Sequence, residues 1–335
     1  MRDPYSVKVC FCMKRIGVPL IMIFLCVAFH AEPFGRGSRQ QRPFRVMFWN
    51  VENLFDTVHD EGFQDSEFLP ESDRRWNSYR YWQKMTEMAR VVTAVAEEGG
   101  LPDILGLCEV ENDSVLTTFT RRSILRQLGY DYVMTHSEDE RGVDVALLYQ
   151  AARFALIDSR SIRVPSREHG FRPTRDILYA RGRVLATEGI DTLHVLVLHL
   201  PSRAGGHEGD QNRALAAQTL WAVVDSIVAA DGKLVVMGDF NAPARDRIFR
   251  QNPLVITDDP RSPGTYCFRG YWQWLDHILV SSSLSTAGSA HPVRLPWLLE
   301  PNKTYGVDMP FRTFRGPSYH GGVSDHLAVV LDIKL

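Results

Sequence analysis

Six short segments of the chain place Asn, Asp, Glu or His directly after an apolar run. They are Trp49-Asn50-Val51-Glu52-Asn53, Cys108-Glu109-Val110-Glu111-Asn112, Leu198-His199-Leu200-Pro201-Ser202-Arg203, Gly238-Asp239-Phe240-Asn241, Trp274-Leu275-Asp276-His277 and Ser324-Asp325-His326. Carboxylates hold hard divalent cations or take a proton from water, and imidazoles and amides donate hydrogen bonds to an anion. Singly, each segment has an ordinary explanation, since Asp and Asn form Asx-turns at strand ends and a lone His is usually structural. Six such segments after six apolar runs point to one shared site.

The elements that must carry these residues are mostly strands. Strands are predicted over 45–49, 104–108, 132–135, 143–149, 183–186, 193–199, 234–238, 277–280 and 327–333. Two helices are predicted. Over 79–98, Met85, Met88, Val92 and Val95 share a face; over 211–229, Leu215, Leu220, Val223, Val224 and Ile227 do, with Asp210 as N-cap. Many strands with few helices suit a mixed sheet system better than a doubly wound sheet. The 335 residues are 44% hydrophobic and 23% charged, which excludes disordered, collagen-like and disulfide-scaffold classes. A net charge of −2 excludes a blanket electrostatic grip on nucleic acid, so any phosphate binding is local. Walker, His-Glu-x-x-His and Gly-x-Ser-x-Gly motifs are missing from the sequence, as is Cys/His zinc spacing.

The pairing of Gly-Asp-Phe-Asn (238–241) with a terminal Ser-Asp-His (324–326) resembles the endonuclease/exonuclease/phosphatase superfamily. Further segments are similar to its bacterial extracellular-nuclease-like branch: Arg141 through Tyr149, Pro201-Ser202-Arg203-Ala204-Gly205-Gly206 with Arg213, and Gly321-Gly322 before Val323. The resemblance runs from about residue 45 to 335. It implies an α/β four-layer sandwich, two packed mixed β-sheets flanked by helices, with one active site at their shared edge. It further implies Mg²⁺, with Mn²⁺ as a substitute, held by Glu109 with Asn50, Glu52 and Asp325. Asp239 is expected to activate the attacking water. Asn241, His199 and His326 are expected to contact the phosphate, Asp276 to hold the second nitrogen of His326, and Arg141, Arg203 and Arg213 to add anion contacts. Asp144 is a candidate for fixing an arginine. The cluster Tyr266, Phe268, Tyr271, Trp272 and Trp274 is read as a strand packing its neighbours in preference to a base-stacking surface.

Ahead of this domain (44–335) lie a leader, 1–31, and a polar Gly/Pro-containing linker, 32–43. Lys14 and Arg15 followed by the apolar run from Ile16 to Ala28 read as a secretory signal, with Met1 or Met13 as the start. Leader charges are mostly basic, so the rest of the chain is acidic. Three of five cysteines fall in the leader, leaving Cys108 and Cys267 to pair or stay as thiols. The expectation is an exported, monomeric phosphoesterase acting on nucleic acid. It needs no stable protein partner and meets a membrane only through an uncleaved leader. A lipid-head-group or sugar-phosphate phosphoesterase is the same-class alternative, and a non-catalytic surface-binding module on the same fold the other.

Overall fold

The computed structural model describes residues 42–185 and 191–335, so the leader and the linker up to residue 41 lie outside the described residues. One seven-stranded sheet is ordered β13 (Ser285–Thr286), β19 (Val329–Lys334), β1 (Phe44–Leu54), β2 (Ile104–Val110), β4 (Asp144–Gln150), β3 (Tyr130–Met134), with β14 (His291–Pro292) also on β19. The second, six-stranded sheet is ordered β5 (Phe154–Ile162), β6 (Ile177–Val184), β7 (Asp191–His199), β8 (Lys233–Asp239), β12 (Asp276–Val280), β9 (Val255–Ile256). Three hairpins complete the strands: β10 (Tyr266–Phe268) with β11 (Tyr271–Gln273), β15 (Leu299–Asn302) with β16 (Val307–Pro310), and β17 (Phe314–Arg315) with β18 (Ser318–Tyr319). The longer helices are α1 (Ser78–Gly99) and α3 (Gly206–Ala229); α2 (Asp113–Thr117) is a single turn.

Alternation along the strands sorts the core into three layers. Val46 and Phe48 of β1 face inward with Val195, Val235, Met237 and Ile278 of the other sheet, forming the seam between sheets. Met47 and Trp49, one residue out of phase, turn outward to Met85, Met88 and Val92 of α1. On the opposite side Leu196, Leu198 and Val236 pack against Leu220, Trp221 and Val224 of α3. Helix, sheet, sheet and helix therefore stack as four layers, as expected. At the seam Gly106 permits close approach: a Cβ there would lie 2.8 Å from the Met237 sulfur.

The predicted elements recur with shifted ends. The strand expected over 183–186 begins six residues earlier, at Ile177, and β5 was not foreseen because its edge position leaves many of its residues in solvent. Helix α3 starts at Gly206, not 211, so Asp210 is no N-cap; its carboxylate accepts from Arg213. Leu215 and Val223 sit at the rim of the buried stripe, which Ala216, Ala217 and Trp221 fill. Cys108 and Cys267 are both buried free thiols. Among the described residues no helix is long and apolar enough to cross a membrane.

Near the end of β2, Glu111 is buried beside Asp56, Asp60 and Asp65. Burial first, then those carboxylates, push it up to about 9, outweighing the Asp56 amide that donates to it. The folded protein thus keeps a proton that the unfolded chain releases above about 4.5, and stability falls as pH rises between those values. Glu111→Gln keeps the amide acceptor and removes the charge. At pH 8 it is expected to raise the unfolding free energy by roughly 1–3 kcal/mol, with little gain at pH 4, in thermal melts at the two pH values.

Candidate active site

Strand register brings the six segments together. In the first sheet Asn50 lies opposite Cys108, and a bulge after each shifts the pairing. Glu109 sits on its bulge with φ 63°, while Glu52 and Asn53 follow with φ 49° and 53°. Such bulges at strand ends re-aim side chains, and left-handed non-glycine residues concentrate where function demands a strained backbone. In the second sheet His199 pairs with Asp239 across β7 and β8, and Asp239 with Asp276 across β8 and β12. Three strand ends therefore deliver three chemically competent groups side by side.

The sheets meet where the Asn50 amide donates to Asp239 Oδ2 at 3.0 Å. Asp239 Oδ1 accepts from the Asn241 backbone N–H at 2.8 Å, with Asn241 itself at φ 49°. The Asn241 side-chain nitrogen donates to the Leu200 carbonyl at 2.9 Å, leaving one amide hydrogen for the cleft. Ser324 anchors the last segment: its hydroxyl donates to the Asn50 carbonyl and accepts from the His326 N–H. His326 Nδ1 lies 2.7 Å from Asp276 Oδ2, and its Nε2 stands 3.8 Å from Asp239 Oδ2. His199 Nε2 is 3.7 Å from Asp239 Oδ2 and 4.0 Å from Glu109 Oε1.

Burial sets the protonation. His326 is buried, which opposes a charge, but Asp276 and Asp239 outweigh the desolvation and hold it well above the ordinary histidine range. Among the described residues His199 has no such carboxylate hydrogen bond. Burial, then Arg175 and Arg141, drive it well below, so it is neutral. Asp239 is pushed up to about 7, first by burial and then by Asp276, against the pull of His326. A base poised near neutrality beside a cationic donor suits proton transfer to and from a bound phosphoester.

The sequence profile of the Endonuclease/Exonuclease/phosphatase family matches residues 45–335, the span that builds both sheets and all six segments. The chain belongs to this family. It is a phosphoester-hydrolysing enzyme of the endonuclease/exonuclease/phosphatase type. The fold is similar to the human Nocturnin catalytic domain with bound sulfate, at 22% identity and TM-score 0.56 over 88% of this chain and 95% of that one. It is similar also to a Bacteroides thetaiotaomicron mannosyl-6-phosphatase (15%, TM-score 0.57, 87% and 100%) and to TDP2 from C. elegans (16%, TM-score 0.56, 88% and 77%). A comparison with curated protein sequences gives no match.

Endonuclease/exonuclease/phosphatase enzymes generally depend on a divalent metal, and the donor set here fits one. Glu109 lines the cleft; its Oε2 accepts from the Asn53 N–H, while its Oε1 accepts no hydrogen bond among the described residues and lies 4.0 Å from His199 Nε2. Asn50 and Asp325 also line the cleft. Among the described residues the Asn50 amide oxygen accepts only from the Glu52 N–H and Asp325 Oδ2 only from Arg312, so each keeps oxygen lone pairs. With Glu109 they make an all-oxygen set of the kind hard cations take. Ligand atoms of Asp239, Asp276 and His326 also lie within 4.8 Å of one another, near enough to share an ion. There, however, the His326 Nδ1 hydrogen bond already engages Asp276, and the imidazolium supplies the positive charge.

Two candidates are directed elsewhere. The Glu52 carboxylate turns from the cleft and accepts from the Thr313 and Phe314 N–H groups and from Arg312, so its lone pairs are engaged and it is no metal ligand. Arg312 also reaches Asp325 at 2.9 Å, so Glu52 acts by tying the 311–314 loop to the Ser-Asp-His segment. Arg213 is buried and donates to the Pro201 carbonyl and to Asp210, which holds the 201–205 loop on α3 instead of contacting substrate. Arg141 and Arg203 do line the cleft. Arg141 donates to Asn53 Oδ1 and lies 3.8 Å from Glu109; Arg203 donates to the Asn241 carbonyl.

Sequence reasoning missed three supports. Arg175 pairs with Asp139 at 2.7 Å, both buried, and donates to the Leu200 carbonyl; Asp139 also accepts from the Arg141 N–H. This chain of contacts clips the Arg141 loop to the Leu200 turn that holds Asn241. Asp139 lay hidden in the acidic run 138–140, which reads as solvated. Asp144 fixes the 135–137 turn through Thr135 and Ser137, not an arginine. Lys84 was findable, since it falls one turn before Met88 on the apolar stripe of α1. It is buried and donates to the Glu52 carbonyl and, at 2.8 Å, to Thr313 Oγ1, and burial pulls it down to about 8.

Proposed function

We propose that the protein is an exported, Mg²⁺-dependent phosphodiesterase that cleaves nucleic acid. The observation that carries this reading is the cleft of about 510 Å³ at the joint edge of the sheets, where the catalytic groups are flanked by Arg141 from one sheet's loops and Arg203 from the other's. A single terminal phosphate is served by the central groups; two further cations at the rim suit a substrate whose charge continues beyond the scissile phosphate. Glu109, Asn50 and Asp325 would hold the metal ion, whose contribution there would be to withdraw charge from the phosphate oxygens. Asp239 takes the proton of the attacking water, whose oxygen bonds to phosphorus as the ester P–O bond breaks and the departing alkoxide oxygen takes a proton from solvent water. His326 and the free Asn241 amide hydrogen donate to the non-bridging oxygens, where negative charge grows. Neutral His199 sits beside Glu109 and Asp239, placed to hydrogen-bond a phosphate oxygen or the leaving group.

Export rests on the basic-then-apolar leader, and cleavage is checked by N-terminal sequencing of protein recovered outside the cytoplasm. The activity is tested with plasmid DNA, RNA, bis-p-nitrophenyl phosphate, sphingomyelin and mannose 6-phosphate, each with and without EDTA. Hydrolysis of a nucleic acid and of the small diester, abolished by EDTA and restored by Mg²⁺ or Mn²⁺, is expected. Turnover confined to sphingomyelin or the sugar phosphate rejects the nucleic-acid reading. Undiminished turnover in EDTA rejects the metal.

A further inference from the structure

The β10–β11 hairpin stands beside the cleft. Its register pairs Tyr266 with Gln273, Cys267 with Trp272 and Phe268 with Tyr271. Tyr266, Phe268, Tyr271 and Gln273 therefore share one face, and Cys267 and Trp272 the other. The second face is seated. Cys267 is buried, and Trp272 packs against the outer core of the first sheet, with the Arg294 guanidinium 4.5 Å from its ring centroid. Arg269 and Gly270 form a two-residue tip with φ 51° and 84°, the pattern of a tight hairpin turn matched to strand twist. A Cβ at Gly270 would come within 2.7 Å of the Tyr305 Cβ, so the tip is pressed onto its neighbour. Seated on one side and pinned at the tip, the hairpin holds its other face in a set orientation.

That other face is aromatic and wet. The Tyr266 ring centroid lies 4.7 Å from that of His326, which ties the inner end of the row to the reacting phosphate. Phe268 comes next, lining the cleft yet 51% exposed, and Tyr271, its cross-strand partner, stands beside it at 76% exposed. Scattered exposed apolar residues are ordinary, but cross-strand neighbours in line with a catalytic histidine form a patch that folding does not require. Cations accompany it. The Arg269 guanidinium is 5.2 Å from the Phe268 ring centroid, and Arg141 and Arg203 flank the cleft. Rings interleaved with arginines match a chain that alternates flat π-faces with phosphates. A phosphorylated sugar or a lipid head group brings its charge to the catalytic centre and leaves the outer arginine without a partner. Duplex bases are stacked on one another and offer only their edges.

We propose that the Tyr266–Phe268–Tyr271 face is a stacking track for the unpaired bases of single-stranded nucleic acid next to the scissile phosphate; this rests on the phosphodiesterase reading above. Unpaired bases lie on the rings, phosphates meet the arginines, and the substrate class narrows to single strands, loops and frayed ends.

The test compares an oligothymidylate with a GC-rich blunt duplex. Phe268→Ala and Tyr271→Ala are each expected to lower kcat/KM on the single strand by roughly 5–100-fold, mainly through KM, the range for one lost base stack. The duplex should change by less than about twofold, since its bases never reach the rings. Phe268→Tyr should retain single-strand activity and Phe268→Leu should not, which separates stacking from mere apolar contact. Anisotropy titrations of a labelled oligothymidylate in EDTA read the same variants without turnover and should show the matching rise in Kd. An unchanged single-strand response in both assays, or an equal loss on single strand and duplex, overturns the track. Failure of the wild-type protein to hydrolyse bis-p-nitrophenyl phosphate or any nucleic acid would instead overturn the phosphodiesterase reading, while the anisotropy arm still decides the track.

Discussion

Asp239→Asn lowers kcat by roughly 10²–10⁴, the loss expected when a positioned general base is removed. Shape is kept, because the Asn241 N–H can still donate to the new carbonyl oxygen. Charge is not, and the new amide faces the Asn50 amide across a contact that measures 3.0 Å in the wild type. Two donors then oppose each other, at a cost of about 1–3 kcal/mol in stability unless one amide turns over. Thermal melts read that cost separately from turnover. Metal affinity is expected to survive, whereas Glu109→Ala moves the metal requirement to higher concentration. Near-wild-type rates for Asp239→Asn at saturating Mg²⁺ would remove Asp239 from the role of base.

Asp276→Asn shifts the pH–rate profile to lower pH. His326 is cationic because Asp276 and Asp239 outweigh its burial. Removing one of them lowers its pKa, so the protonated form is lost earlier as pH rises and the alkaline limb moves down. The acid limb moves the same way, because Asp276 is, after burial, the main cause that raises Asp239. Each displacement is on the order of one unit for a buried pair. The variant loses most at pH 8–9 and least near pH 6, roughly bracketing the ~6.5 of an unperturbed histidine. Loss of orientation lowers the whole profile without moving it, so limb position is the measurement. Metal-bound water also titrates in this range; repeating the profile with Mn²⁺ moves that contribution and leaves the histidine's in place. A uniform drop with stationary limbs would exclude the charged-histidine role.

The parts of the site legible from sequence were those fixed by strand ends. Asn50, Glu109 and Asp239 directly follow a predicted strand, His199 ends one, and Asp276 and His326 immediately precede one, and parallel and antiparallel pairing brings such ends to one edge. The four-layer fold was legible through the resemblance carried by Gly-Asp-Phe-Asn and Ser-Asp-His, whereas the predicted strands and helices by themselves pointed only to a mixed sheet system. What escaped depends on where a side chain turns after its strand ends. Glu52 sits only two residues beyond Asn50, yet its left-handed backbone sends the carboxylate into the 311–314 loop, some 260 residues away in sequence. Arg213 lies about two helix turns inside α3 rather than near its start, and burial made it a brace. The aromatic cluster divided along its strands: Trp272 and Trp274 pack as expected, while Phe268 and Tyr271 stay in solvent. Alternation in a hairpin decides that division, and composition cannot.

The Asn50–Asp239 and His326–Asp276 hydrogen bonds join, at the cleft, two sheets whose faces meet through apolar seam contacts such as Gly106 against Met237. Dispersion contacts tolerate a few tenths of an ångström of sliding at small cost, whereas a directional bond and a proton-transfer distance do not. The cleft therefore acts as a gauge of interlayer alignment. Thermal expansion, a bulkier seam residue or a distant core substitution registers first as lost turnover, while both sheets, and every optical signal that reports them, are still intact.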